Sequence, residues 1–293
     1  MTSEKSCDLE LLYSPSKWCK RYNTSEECIQ DHVKIISEES QVVRSSVPGN
    51  LEVSYGTLPK EKYDLFGIDL PNNSPIIFYI HGGYWQEECI NRKNSSFLAK
   101  TFHKHGIKSF IIGYELCPDV GLDEIVYQTQ KALRICLDYA KRKGSRGICL
   151  MGHSAGAHLV AHLFTKFVNT LPPEDVNLLR SAYLIGGIYD LEPLVSTSYN
   201  IPMKLTNETA KRYSPIHHRM SDCDTKFFIV VGKNDSPAFV AQSEMVNRRF
   251  ESQNMATRLL VMGDIDHFDI IERLSDEQFK LTRMILKTLT EIY

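Results

Sequence analysis

The feature that most constrains the fold is the alternation, after residue 50, of short apolar runs with segments of helical spacing. The runs expected to be strands are 51–56, 62–70, 75–80, 107–114, 147–151, 181–188, 226–231 and 258–262. The segments expected to be helices are 25–39, 121–143, 155–169, 236–253 and 269–292. Near-continuous apolar strands separated by helices predict a mostly parallel sheet covered on both faces. The short spacing of the first two runs predicts an antiparallel start.

The domain organisation follows from the same pattern. No linker rich in Pro, Gly or Ser divides the chain, so we expect one doubly wound α/β domain over residues 51–293. Residues 1–50 are polar and mixed in character, and we expect them to form an N-terminal extension packed on that domain. Ligands of doubly wound sheets bind beyond the carboxyl ends of the strands. The candidate functional residues are therefore those that follow each strand.

Composition narrows the function classes. Lys and Arg total 34 against 36 for Asp and Glu, so the chain lacks the basic excess of a nucleic-acid binder. No apolar run approaches the ~20 residues that span a bilayer, so no membrane association is expected. The opening residues are polar, which predicts a cytoplasmic protein and leaves a nuclear pool open. The eight cysteines form no Cys-x-x-Cys pair and are expected to be free thiols.

A G-x-S-x-G motif spans residues 152–156, between an expected strand and an expected helix. In that context the motif forms a sharp turn that exposes the serine above the sheet, at a helix N-terminus. Flanking glycines remove the Cβ atoms that would clash where strand meets helix. Ser154 is therefore the candidate nucleophile. The alternative is a small-residue crossing without catalytic meaning.

A serine nucleophile needs a base, and His267 is the candidate. It follows the last expected strand and precedes the last expected helix. Most of the other histidines lie in polar segments or loops. His158 and His162 are spaced like a metal-binding pair on a helix, but the sequence supplies no third ligand, so we expect no metal site.

The base in turn needs an orienting acid, and in this fold the order along the chain is Ser, acid, His. Asp235 follows the strand expected over 226–231 and lies between Ser154 and His267. Asp190 follows the preceding strand and is the second candidate.

The reaction also needs donors for a developing oxyanion, and the segment His81-Gly82-Gly83-Tyr84-Trp85 follows the strand expected over 75–80. The N–H groups of Gly82 and Gly83 can approach a reacting oxygen closely because these residues carry no side chain. The N–H of Ala155, next to the nucleophile, is the second source. The alternative for the glycine pair is a tight turn.

Four segments resemble those of the kynurenine formamidases (arylformamidases), a branch of the α/β-hydrolases. They are Tyr13-Ser14-Pro15-Ser16-Lys17-Trp18, the H-G-G-x-W segment 81–85, the elbow 152–158 and the segment 188–194. Tyr84 stands where many lipases of this fold have a third glycine, which favours the formamidase branch.

The resemblance implies hydrolysis of N-formyl-L-kynurenine to L-kynurenine and formate, a step of tryptophan catabolism, through a formyl-enzyme. Carried over by position, Ser154, Asp235 and His267 form the triad. Gly82, Gly83 and Ala155 form the oxyanion hole. The implied partner is a small aryl formamide, with no metal or cofactor. Members of the family are often dimeric, so a homodimer is an open expectation.

Tyr84 and Trp85 are expected to form an aromatic wall for the substrate ring, with packing against the sheet as the alternative for Trp85. The segment 13–18 is expected to anchor the N-terminus rather than to contact substrate. Two other functions are kept open. One is a carboxylesterase of broad specificity for aryl esters, which would use the same triad, and the other is a hydrolase-like binding protein without activity.

Overall fold

One eight-stranded sheet organises the chain in a computed structural model, which describes residues 8–291. The strands are β1 (Gly49–Ser54), β2 (Lys62–Phe66), β3 (Ile76–Ile80), β4 (Lys108–Ile112), β5 (Ile148–His153), β6 (Leu179–Ile185), β7 (Lys226–Gly232) and β8 (Thr257–Met262). Their order in the sheet is β1-β2-β4-β3-β5-β6-β7-β8. β2 pairs antiparallel with both β1 and β4, and every other pair is parallel. The predicted mostly parallel sheet with an antiparallel start is confirmed.

Helices cover both faces of the sheet. They are α1 (Ser25–Ser46), α2 (Ala99–Lys104), α3 (Leu122–Lys143), α4 (Ala155–Leu163), α5 (Pro173–Val176), α6 (Asn200–Met203), α7 (Asn207–Tyr213), α8 (Pro237–Glu251), α9 (Asp269–Glu272) and α10 (Lys280–Glu291). Short 3-10 helices lie at Pro15–Trp18, Ser96–Leu98, Val168–Thr170, Glu192–Ser196, Pro215–His217 and Arg273–Ser275. Residues 8–12 are also helical. No described helix has both the length and the apolar composition needed to span a membrane.

Strand β3 shows why its sequence is apolar without alternation. Ile76, Phe78 and Ile80 point into the hydrophobic core on one face of the sheet. Ile77 and Tyr79 point into the core on the other face. Since successive side chains of a strand point to opposite faces, a strand buried on both sides must be apolar throughout.

The strand order reverses next to β3, and this reversal positions the site. β4 lies on one side of β3 and β5 on the other, so the connection after β3 leads towards one edge of the sheet and the connection after β5, which leads to β6, towards the other edge. A crevice forms at the carboxyl ends of the strands at such a switch point. The loops that follow β3 and β5 meet at this crevice.

The prediction of a single long helix at the C-terminus is wrong. The segment divides into α9, the 3-10 helix Arg273–Ser275 and α10. Asp276 adopts an extended conformation, and its carboxylate accepts a hydrogen bond of 2.8 Å from the backbone N–H of Gln278. Asp side chains compete with helical hydrogen bonds in this way, which ends the helix.

Helix α1 packs closely on the sheet. Thr24 and Glu27 form a reciprocal capping box that begins α1. Ile36 and Val43 of α1 are buried in the core that also contains part of β3. The division of the chain at residue 50 stays a prediction, because α1 contributes to the same core as the strands.

Candidate active site

Ser154 lies on a tight turn between β5 and α4. Its φ of 54° and ψ of −121° are unusual for a residue with a side chain. The backbone N–H of Ser154 donates to the carbonyl of Ile185 at 2.8 Å, which ties the turn to the neighbouring strand. A Cβ atom at Gly156 would lie 2.1 Å from the carbonyl oxygen of Ile80, so only glycine lets α4 approach β3 this closely.

His267 and Asp235 form a buried pair. The Nδ1 atom of His267 lies 2.8 Å from Oδ2 of Asp235. Nδ1 therefore carries the proton donated to the carboxylate, and Nε2 remains available as a base. The other carboxylate oxygen of Asp235 accepts the backbone N–H of Ser236 at 2.7 Å, which orients the acid.

Asp190, the second candidate acid, is placed elsewhere. One of its carboxylate oxygens lies 3.7 Å from the ring of His217 and accepts the backbone N–H of Glu192 at 3.0 Å. The structure therefore brings Asp235, rather than Asp190, to His267.

Ser154 and His267 open into a common cavity of about 150 Å³. Its lining is mainly aromatic and aliphatic, and consists of Pro15, Ser16, Ile29, His32, Gly83, Tyr84, Glu87, Cys89, Ile90, His153, Ser154, Tyr199, His267 and Phe268. The fold thus collects a hydroxyl, an imidazole and, behind it, a carboxylate from loops that are distant in sequence.

The loop after β3 lies directly against Ser154. A Cβ atom at Gly82 would lie 3.1 Å from Cβ of Ser154 and 3.0 Å from the carbonyl oxygen of His153. Glycine therefore permits the loop to pass this close to the serine. In residues 8–291, the backbone N–H groups of Gly82, Gly83 and Ala155 donate to no other group. They are free to bind an oxygen that accumulates negative charge.

His81 and Tyr114 hold this loop in position. The Tyr114 hydroxyl donates to the carbonyls of His81 at 2.9 Å and Gly82 at 3.2 Å. The two rings stack with centroids 4.3 Å apart. Burial lowers the pKa of His81 to about 4, so its ring is neutral at physiological pH. The motif histidine therefore holds the loop rather than taking part in proton transfer.

Tyr84 and Trp85 do not share one role. Tyr84 lines the cavity, stacks on Tyr199 with centroids 4.1 Å apart, and donates its hydroxyl proton to the carbonyl of Tyr13. Trp85 is fully buried, does not line the cavity, and meets the ring of His158 edge-on at 4.9 Å. The expectation that Trp85 belongs to the substrate wall is therefore corrected, because its indole fills the core behind the loop.

The N-terminal segment contributes more than an anchor. Tyr13 is held by a 2.8 Å hydrogen bond from the side-chain amide of Gln242 to its hydroxyl. Pro15 and Ser16, which follow shortly after Tyr13 in the chain, line the cavity. The expectation that this segment only anchors the N-terminus is therefore too narrow. Its position across the active site could not be read from local sequence, because the contact joins residues more than 200 positions apart.

His153, the variable residue of G-x-S-x-G, was not identified from sequence. Its Nε2 atom lies 2.9 Å from the backbone carbonyl of His267 and therefore carries a proton. Burial, together with the neighbouring His267, lowers the pKa of His153 well below 6.5. This neutral ring holds the backbone of the loop that carries His267 in place.

The histidines considered as a metal pair are core residues. Burial lowers the pKa of His158 to about 4 and that of His162 to about 3. His158 donates from Nε2 to the carbonyl of Tyr213 at 2.7 Å. Elsewhere in the described chain, ligand atoms of Asp190, Glu192 and His217 lie within 4.8 Å of one another, but none of these residues lines the cavity.

Known proteins resemble this chain in sequence and in fold. A family model for the alpha/beta hydrolase fold matches residues 77–268. The kynurenine formamidase of Danio rerio is 34% identical over 96% of this chain and 95% of its own length. That of Drosophila melanogaster is 24% identical over 97% of this chain and 98% of its own length.

Solved structures show the same architecture. A protein from Silicibacter sp. TM1040, provisionally described as a thioesterase, has a TM-score of 0.77 and 29% identity, and the match covers 95% of this chain and 98% of that one. Esterase B of Lactobacillus rhamnosis has a TM-score of 0.70 at 16% identity, covering 90% of this chain and 96% of that one, and shows the fold alone. The 34% identity to the kynurenine formamidase of Danio rerio extends over nearly the full length of both chains, and this match distinguishes among branches of the fold. The chain is a member of the kynurenine formamidase family of α/β-hydrolases.

Proposed function

We propose that this protein hydrolyses N-formyl-L-kynurenine to L-kynurenine and formate, with Ser154 as nucleophile, His267 as general base and acid, and Asp235 as its orienting partner. The observation that carries the proposal is the common cavity. Ser154 and His267 open onto it, Asp235 lies behind the His267 ring, and the nearby backbone N–H groups of the two loops have no other acceptor within residues 8–291.

The first half of the reaction forms a formyl-enzyme. The Ser154 hydroxyl attacks the formyl carbon while Nε2 of His267 takes its proton, and Asp235 stabilises the resulting imidazolium. Negative charge develops on the formyl oxygen, and the N–H groups of Gly82, Gly83 and Ala155 bind it. Such donors are each typically responsible for roughly 10²–10³ in rate.

The second half releases the products. His267 returns its proton to the aryl amine nitrogen as the C–N bond breaks, and L-kynurenine leaves. His267 then deprotonates a water molecule, which attacks the formyl ester of Ser154. Formate departs as the serine recovers its proton. An aryl amine leaves more readily than an alkyl amine, so a triad suited to esters also cleaves this amide, and no step requires a metal or cofactor.

A second candidate is a carboxylesterase of broad specificity for aryl esters. The cavity walls favour it as well, because Tyr84, Tyr199 and Phe268 offer an aromatic surface that would hold any aryl leaving group. The triad chemistry is the same for both candidates. The difference lies in the relative rates of the two substrate classes.

The experiment is a comparison of kcat/KM for N-formyl-L-kynurenine and for p-nitrophenyl acetate with purified protein. We expect a clear preference for the formamide and no turnover by Ser154→Ala. A preference for the ester would favour the second candidate. Absence of both activities, together with no labelling by a fluorophosphonate, would favour the hydrolase-like binding protein.

Location and assembly are also proposals. The seven described cysteines are all free thiols, which suits a reducing compartment, and we place the protein in the cytoplasm. Cell fractionation with a nuclear fraction tests this location. The homodimer implied by the family resemblance is tested by light scattering of the purified protein.

A further inference from the structure

The mechanism above leaves the amino-acid end of the substrate without a partner. N-formyl-L-kynurenine carries an α-ammonium and an α-carboxylate on an aliphatic chain that leaves the ring ortho to the formamide. We propose that the carboxylate of Glu87 binds the α-ammonium group and makes the site selective for amino-acid substrates over anionic aryl formamides. This inference rests on the proposed function and adds the residue that recognises the charged end.

The size of the cavity places that end at its mouth. A cavity of about 150 Å³ accommodates one aromatic ring. With the formyl group against Ser154 and the ring filling the cavity beside Tyr84, little volume remains for the aliphatic chain, so this chain extends towards the opening. Glu87 lies where the cavity opens, because it belongs to the lining and its side chain is exposed.

The backbone fixes Glu87 relative to Gly83, one of the proposed oxyanion donors. Its N–H donates to the carbonyl of Gly83 at 2.8 Å, and its own carbonyl accepts the N–H of Ile90 at 3.2 Å. A Cβ atom at Gly83 would lie only 3.1 Å from Cβ of Glu87. The turn that presents the oxyanion donors therefore also presents this carboxylate. Glu87 lies at the other end of the turn that begins at Gly83.

The charges around the cavity favour a cation at this position. No Lys or Arg side chain is among the lining residues, and Glu87 is the acidic one. Across the described part of the chain, no cationic group lies within ion-pair distance of its carboxylate, whereas the adjacent Glu88 pairs with Lys60. Cys89, an exposed residue that also lines the cavity, lies close enough to Glu87 that burial and then this carboxylate raise the pKa of its thiol. A substrate ammonium would neutralise this charge.

The test compares N-formyl-L-kynurenine with its deamino analogue, in which hydrogen replaces the α-ammonium group and the carboxylate is retained. Glu87→Gln keeps the side-chain shape and removes the charge. For N-formyl-L-kynurenine we expect kcat/KM to fall roughly fivefold, mainly because KM rises. A fivefold change corresponds in free energy to the loss of one solvent-exposed ion pair. We expect kcat/KM to rise for the deamino analogue, because repulsion of its carboxylate is relieved.

The matched control is Glu88→Gln, one residue along the same turn. Glu88 faces a different depression and its partner is Lys60, so the ratio of the two kcat/KM values should match that of wild type. Added salt should also shrink the difference between wild type and Glu87→Gln, because exposed charges are screened.

The outcomes separate the two proposals. If wild type cleaves N-formyl-L-kynurenine and Glu87→Gln leaves the substrate ratio unchanged, Glu87 does not bind the ammonium and the proposed function stands. A ratio altered equally by Glu87→Gln and Glu88→Gln would assign the effect to general surface charge and overturn the inference. If wild type cleaves neither formamide, both proposals fail.

Discussion

Asp235 and Asp190 follow neighbouring strands of the sheet, yet of the two only Asp235 contacts the imidazole of His267. Both were candidates in the sequence, because each follows a strand and precedes His267. The distance of 2.8 Å between Asp235 Oδ2 and His267 Nδ1 distinguishes them. At the scale of single residues, the chemistry depends on which of two similar side chains the backbone presents.

We expect Asp235→Asn to lower kcat by about 10⁴, because an amide at this position stabilises the wrong tautomer of His267. Steady-state kinetics with N-formyl-L-kynurenine measures the effect. Asp190→Asn is the control and should retain most of the wild-type activity. The reverse pattern would show that Asp190 is the acid in solution.

A second prediction concerns Trp85, which is buried and lies outside the cavity lining. Trp85→Phe removes part of a core side chain and leaves a void, so the free energy of unfolding should fall by roughly 1–3 kcal/mol. KM should stay within twofold of wild type. Denaturant titration and steady-state kinetics measure the two quantities. A raised KM at an unchanged free energy of unfolding would indicate that Trp85 contacts the substrate.

At the scale of elements, Arg21, which precedes helix α1, binds the loop that carries His267. Arg21 donates to Asp266 at 2.7 Å and to Glu272 at 3.0 Å, and both carboxylates are buried. Although burial opposes it, the hydrogen bonds from Arg21 hold the pKa of Asp266 below its usual value. Asp266 also accepts the backbone N–H groups of Phe268 and Asp269, so Arg21 is connected through Asp266 to the loop that carries His267.

Arg21→Gln should therefore loosen this loop. We expect the free energy of unfolding to fall by about 2 kcal/mol, because two buried carboxylates lose their cation. We expect kcat to fall roughly tenfold with little change in KM. The neighbouring exposed Lys20→Gln is the control and should change neither quantity. Wild-type kcat in Arg21→Gln would mean that the segment only stabilises the fold.

The elements themselves were predicted unevenly. The strands of the parallel sheet were evident because burial on both faces makes them apolar throughout, as in β5. The short helices α6 and α7 were not identified, since each is too brief to show helical periodicity. The interruption between α9 and α10 was also missed, because the periodicity of apolar residues continues across Asp276.

At the scale of the whole molecule, several histidines are buried as neutral rings. Burial lowers the pKa of His81 and His158 to about 4 and that of His162 to about 3. In the unfolded chain these rings take up protons below pH ~6.5, while in the folded chain they stay neutral. A histidine whose pKa is lowered on folding contributes its full stabilisation above pH ~6.5. That contribution decreases as the pH falls towards the pKa of the histidine in the folded state.

The free energy of unfolding should therefore decrease between pH 7.5 and 5.5, with each such histidine contributing roughly 1.4 kcal/mol per pH unit below 6.5. Urea titrations at several pH values measure it. His158→Gln keeps a side-chain N–H donor for the carbonyl of Tyr213 and cannot titrate, so its slope should be smaller than that of wild type. Equal slopes would show that His158 is not a source of the pH dependence.

Local sequence patterns were sufficient to predict the class of sheet and the candidates for nucleophile and base. These follow from local causes: apolar runs buried on two faces, and a glycine-flanked serine between strand and helix. Three further facts emerge from the folded chain alone: Asp235 rather than Asp190 meets His267, Trp85 packs in the core, and Pro15 and Ser16 line the cavity. These facts depend on contacts between segments far apart in sequence, whose geometry is set by how strands and loops pack rather than by any local pattern.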